Sequence, residues 1–167
     1  MARTSALSRV PREGEIMTRL TYSTTIQAPR DVVWRTMLED ETYRAWTSAF
    51  QEGSYAVTDW KPGSKALFLA PDGSGMVSRV AEHRPNEFLS LEHLGVVNEG
   101  VEDTESEEVR KWAGARENYT LTEGRETVNL RVDMDATEEH KKFFEEVWPK
   151  ALATLKDLSE RRAMVRA

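Results

Sequence analysis

TEEHKKFFEEVWPKALATLKDLSERR, residues 137–162, is the stretch on which the reading of the whole chain turns. Plotted at about 100° per residue, Phe143, Phe144, Val147, Trp148, Ala151, Leu152, Leu155 and Leu158 fall in one half of a helical wheel, with the charged residues on the other half. Acidic residues crowd the start of this predicted helix and Arg161 and Arg162 its end, which suits the macrodipole. Asp135 or Thr137 can cap it. An apolar arc this wide must bury itself against something broad, and the only broad surface the remaining sequence offers is a β-sheet. Pro149 lacks the N–H for the bond back to Glu145, at a cost of roughly 3 kcal/mol. The stripe keeps its phase on both sides, so the helix is expected to kink near Glu145–Pro149 rather than stop. Such a bend either fits the helix to a curved sheet or holds it off the sheet and leaves a cavity.

Upstream, Leu20 to Gln27 alternates with Leu20, Tyr22, Thr24 and Ile26 on one face, as a strand does. Pro29–Leu38 reads as a short helix with Pro29 in its first turn, and Asp40–Glu41 open a second whose buried side carries Tyr43, Trp46 and Phe50. From Gly53 onward, turn residues come at strand spacing: Pro62-Gly63, Pro71-Asp72-Gly73, Pro85-Asn86 and Glu123-Gly124. They separate six predicted strands, at 55–60, 64–70, 76–83, 88–96, 115–122 and 127–135. Short turns with no helix between them imply an antiparallel meander. In it Leu89, Leu91 and His93 oppose Ser90 and Glu92, and Val128, Leu130, Val132 and Met134 oppose Asn129, Arg131 and Asp133. One face is apolar and one polar, as expected where a single helix layer covers the sheet. Residues 98–112 break the pattern with an acidic run ending in Val109-Arg110-Lys111-Trp112. They read as a long loop with one helical turn at 106–111, and as a lid in which Val109 and Trp112 close the mouth of a pocket.

At 167 residues the chain is one domain, able to bury about two-thirds of its unfolded surface. It is 39% hydrophobic and 31% charged with a net charge of −6. No run approaches the roughly 18 apolar residues of a membrane span, and a net acidic chain without a basic stripe argues against nucleic acid as a partner. The absence of Cys removes disulfides, thiolate zinc sites and thiol nucleophiles together, and fits a cytoplasmic location. Residues 1–17 are expected to be a disordered or loosely attached tail, with Met17 an alternative start, and residues 18–163 the folded domain.

The order β-α-α, six antiparallel strands, one long helix resembles the helix-grip fold of the SRPBCC superfamily, which includes START domains, birch-pollen-allergen proteins and polyketide cyclases. Specific stretches resemble its heat-shock-protein-90 ATPase activator-like branch. These are Ala28-Pro29 with Val33-Trp34, Asp59-Trp60-Lys61-Pro62-Gly63, Gly75-Met76-Val77, the run from Pro85 to Leu91, Gly124 with Thr127, and Leu152 with Leu155-Lys156. The resemblance spans about residues 18–160 and implies an α+β domain, a curved antiparallel sheet wrapped around the kinked C-terminal helix. It departs at His93, where members often carry Trp, at the acidic loop and at Pro149.

The catalytic inventory is thin. His83, His93 and His140 have no metal-ligand spacing, so neither a metal nor a cofactor is expected. No phosphate loop or nucleophile elbow is present, and Glu92 cannot act with His93, because consecutive strand residues face opposite ways. The resemblance implies a cavity between sheet and helix that holds a small apolar or aromatic molecule. Trp46, Phe68, Leu91, His93, Tyr119, Phe144, Trp148 and Ala151 are the expected lining, with Ala151 leaving room at its centre. Two alternatives stand beside this reading: a cyclase- or dehydratase-like enzyme using His93, Tyr119 and Arg116, and a chaperone-binding domain using the acidic loop. The open sheet edge also leaves a homodimer as an option.

Overall fold

The computed structural model describes residues 17–166. The chain runs β1 (Met17–Ile26), α1 (Arg30–Leu38), α2 (Asp40–Thr47), β2 (Tyr55–Val57), β3 (Lys65–Leu69), β4 (Gly75–Arg84) and β5 (Phe88–Asn98). It continues through β6 (Val101–Asp103), α3 (Glu107–Arg110), β7 (Ala115–Glu123), β8 (Val128–Thr137) and α4 (Glu138–Arg166). The strands form one curved antiparallel sheet in the order β1-β8-β7-β5-β4-β3-β2, with β6 attached to the end of β5. The expected tail falls on residues outside the described ones, apart from Met17, which already pairs with Thr137 in the sheet.

Alternation decides what each strand buries. In β8, Val128, Leu130, Val132, Met134 and Ala136 are buried while Asn129 and Arg131 are exposed. These inward residues share one core with Trp148, Ala151, Leu152 and Leu155 of α4, all buried, which is most of the apolar arc expected for that helix; Phe143, expected on it, is exposed. Towards its C-terminus the arc drifts: Leu158 is only half-buried and Ser159 is fully buried. Arg162 ties this end down, bonding Glu39 at the α1–α2 junction at 2.8 Å and the Thr36 hydroxyl at 3.4 Å. The helix passes through Pro149 as one continuous element. Pro149 lies on the exposed side, where water can reach the Glu145 carbonyl that has lost its helical partner.

Seven strands, not six, follow the two short helices. The extra strand lies in the segment expected to be a loop. Glu99 (φ 50) and Gly100 (φ 78) both adopt left-handed backbone, so the chain reverses in two residues and Val101 pairs with Asn98. Glu in the first of these positions hides the usual Asn-Gly or Asp-Gly signature. The chain then crosses back over Gly95, where a Cβ would collide with the Asp103 carbonyl oxygen. The helical turn expected in this stretch is α3, whose first turn the Ser106 hydroxyl caps by accepting from the Val109 N–H at 3.3 Å.

Two register shifts interrupt the β4–β5 ladder. At the first, Gly95 faces Val77 and His93 faces Ser78, so Leu94 is an extra residue on β5. Phase therefore inverts along β5: Leu89, Leu91 and His93 point inward before the bulge, and Val96 points inward after it.

Candidate functional site

Between α2, α4 and the concave face of the sheet lies a cavity of about 580 Å³. Its walls are largely aromatic. Trp46 and Trp148 are nearly fully buried and held in place, the Trp46 indole N–H by the Met37 carbonyl at 3.1 Å and that of Trp148 by the Met134 sulfur at 2.9 Å. Phe50 meets the Trp148 ring edge-on at 4.8 Å, and Tyr22 stacks on Trp148 at 6.0 Å. Tyr43, Tyr55, Phe68, Trp112, Tyr119 and Phe144 complete the aromatic lining. His140, bonded to the Thr137 hydroxyl at 2.8 Å, lines the α4 side.

The polar floor is built by three neighbouring strands. The bulge at Leu94 sets His93 against Ser78 of β4, whose hydroxyl lies 2.7 Å from the imidazole Nδ1. On the other side of β5, β7 presents Ala115, Glu117 and Tyr119 to the cavity at every second position. The Glu117 Oε1 lies 3.4 Å from His93 Nε2, and the Tyr119 hydroxyl donates to Oε2 at 2.5 Å. One chain thus runs Ser78–His93–Glu117–Tyr119, buried at the Ser78 end and opening to the cavity at the Glu117 carboxylate, whose side chain keeps 18% exposure. A second void of about 10 Å³, the size of one water molecule, lies behind it against Leu91, Trp60, Tyr43 and Glu117.

Electrostatics follow from this packing. Burial pushes the Glu117 carboxyl up, but the hydrogen bond and charge of His93 and the Tyr119 hydroxyl outweigh it, so the group sits below its ordinary value and is ionised at neutral pH. Burial and then the Glu117 charge push the phenols of Tyr43 and Tyr119 upward, so both stay protonated. Among the described residues no group of three or more His, Cys, Asp or Glu could hold a metal ion.

Of the residues expected at a site, Trp46, Phe68, His93, Tyr119, Phe144, Trp148 and Trp112 line the large cavity. Leu91 instead faces the small void behind it. Ala151 leaves no room at the cavity, because it is fully buried in the core under α4. Val109 does not close the mouth. It is buried, like Val77 and Val97, outside the main core, on the side of the sheet opposite Met76 and Val96, where it anchors α3 on β5. Arg116 also points away, bonding Glu92 at 2.8 Å on the outer face. Glu117 is the residue the sequence reading missed. Its signal was its position, two residues before Tyr119 and so on the same strand face.

A long C-terminal helix gripped by a curved antiparallel sheet, with two short helices inserted after the first strand, is the helix-grip fold of the SRPBCC superfamily. The chain belongs within it to the family described as activator of Hsp90 ATPase homolog 1-like protein, whose model matches residues 27–160. Solved structures with the same fold include a protein from Mesorhizobium loti (15% identity, 86% of this chain and 98% of that chain covered, TM-score 0.65). Another is the Aha1 dimer of Colwellia psychrerythraea (16% identity, 86% and 96% covered, TM-score 0.62). A third is CalU16 from Micromonospora echinospora (17% identity, 87% and 78% covered, TM-score 0.57). At these identities the likeness is one of fold alone. No curated protein matches the chain.

Proposed function

We propose that this protein binds a small apolar or aromatic molecule in the cavity between the sheet and α4. The observation that carries this reading is the pairing of an aromatic-walled space of about 580 Å³ with a short polar floor at one end. Small-molecule sites have that composition: apolar walls for affinity and a few polar groups for orientation. A side-chain-filled core would not leave Glu117, His93 and Tyr119 facing open space. The test is titration of the purified protein with a panel of polycyclic and long-chain compounds, read by Trp fluorescence, since Trp46, Trp112 and Trp148 all line the cavity. Binding is expected in the wild type and lost in Val96→Trp, which fills the space from a half-buried wall position. No response across the panel, or an unchanged response in Val96→Trp, overturns the reading.

A second reading is supported by the Ser78–His93–Glu117–Tyr119 chain. A carboxylate and an imidazole in contact at the end of an apolar cavity can accept and return a proton from a bound molecule, as general acid–base catalysis requires. Turnover of a bound compound that vanishes in His93→Ala while its affinity survives would favour an enzyme over a carrier. A chaperone-binding role is supported only by the family description, and a homodimer only by the dimeric state of the Colwellia protein.

A further inference from the structure

The charge distribution around the cavity goes further and bears on the head group of what it holds; the argument rests on the binding reading above. Among the described residues no Lys or Arg lines the cavity. Its cationisable floor residue, His93, has both ring nitrogens engaged, Nδ1 with Ser78 and Nε2 with Glu117, so neither is free for a ligand anion. Asp135 at the wall is already matched by the Arg19 guanidinium at 3.2 Å and the Arg116 backbone N–H at 2.9 Å. His140 stands apart, bonded to Thr137 on the α4 side. That leaves the Glu117 carboxylate as the dominant feature of the floor. Each of its oxygens accepts one protein hydrogen bond, and a carboxylate has about four acceptor directions, so it retains capacity for a donor from the cavity.

We propose that the cavity selects an apolar molecule whose head group donates hydrogen bonds, an amine or a hydroxyl seated on Glu117, and turns away carboxylate-headed molecules such as fatty acids. A donor head group completes the carboxylate's hydrogen bonding. If it is a protonated amine, it also neutralises the charge and sits among aromatic rings whose faces attract cations. A carboxylate head group meets like charge among described residues that offer it no free cation, and burying it there costs far more than burying a paired one. The preference comes from residues of β5 and β7 and is independent of the ligand's apolar body.

The experiment uses one body with three head groups: the aminomethyl, hydroxymethyl and carboxylate derivatives of anthracene, titrated into the full-length protein by calorimetry at neutral pH. The aminomethyl and hydroxymethyl compounds are expected to bind, and the carboxylate to bind at least about tenfold more weakly, as like-charge placement requires. Glu117→Gln should weaken the amine and narrow its lead over the carboxylate, with folding checked by circular dichroism. Should that variant not fold, the ranking on the wild type decides alone. A carboxylate that binds wild type as tightly as the amine overturns this proposal but leaves the cavity a binding site. An unchanged ranking in folded Glu117→Gln overturns the role of Glu117. Failure of all three compounds to bind overturns the proposal together with the binding reading beneath it.

Discussion

Glu117 shows how a single side chain acquires its behaviour from neighbours distant in sequence. The charge-assisted bond from His93 and the hydroxyl of Tyr119 more than offset the cost of burying it, so its folded-state pKa is depressed. A depressed carboxyl stabilises the fold at pH values above its unfolded range, and that contribution is lost as pH falls through the lower, folded value. The wild type should therefore lose stability on acidification below the ordinary carboxylate range. Glu117→Gln should show a flatter acid limb while being less stable at neutral pH. Denaturant midpoints measured at a series of acidic pH values check this, and an acid limb identical in the two proteins would sink it. His93 was legible as an inward residue from strand alternation. Its partners were not, because Ser78 and Glu117 reach it only through sheet pairing and a bulge that no local pattern announces.

At the scale of the element, α4 carries both the clearest sequence signal and its least expected residue. The stripe from Phe143 to Leu158 predicted most of its buried face, with Phe143 exposed at one end and Leu158 half-buried at the other, and Pro149 was compatible with a continuous helix because it falls on the solvent side. Replacing it restores the hydrogen bond to Glu145 without opening a cavity. Pro149→Ala should then stabilise the protein by about 1–3 kcal/mol, raising the melting temperature by several degrees for a domain of this size. A lower melting temperature would mean that Pro149 itself is required for packing against the sheet. The β5–β6 turn teaches the opposite lesson. An acidic segment with no apolar alternation gave no strand signal, and its order comes from Glu99 and Gly100 in left-handed backbone and from Val109 buried behind the sheet. Trp112, three residues further on, nevertheless reaches the cavity.

For the whole molecule, a cavity bridging α2, the sheet and α4 couples occupancy to global stability. A ligand that binds the folded chain alone, at a concentration of about 100 times its dissociation constant, adds about 2.7 kcal/mol. The melting temperature should rise by several degrees with ligand in the wild type and stay fixed in Val96→Trp, which differential scanning calorimetry can read. Periodicity and turn residues determined the order of every strand and long helix but β6, the inward faces of β1 and β8 and most of that of α4, because those depend on the solvent preference of each side chain along a regular backbone. Only the tertiary structure decided that Ala151 packs while Val96 lines open space, that Val109 faces away, and that a carboxylate lies between an imidazole and a phenol. Those facts depend on register, bulges and the distance between layers, which are set by how the whole sheet closes on the helix and leave no local trace in the chain.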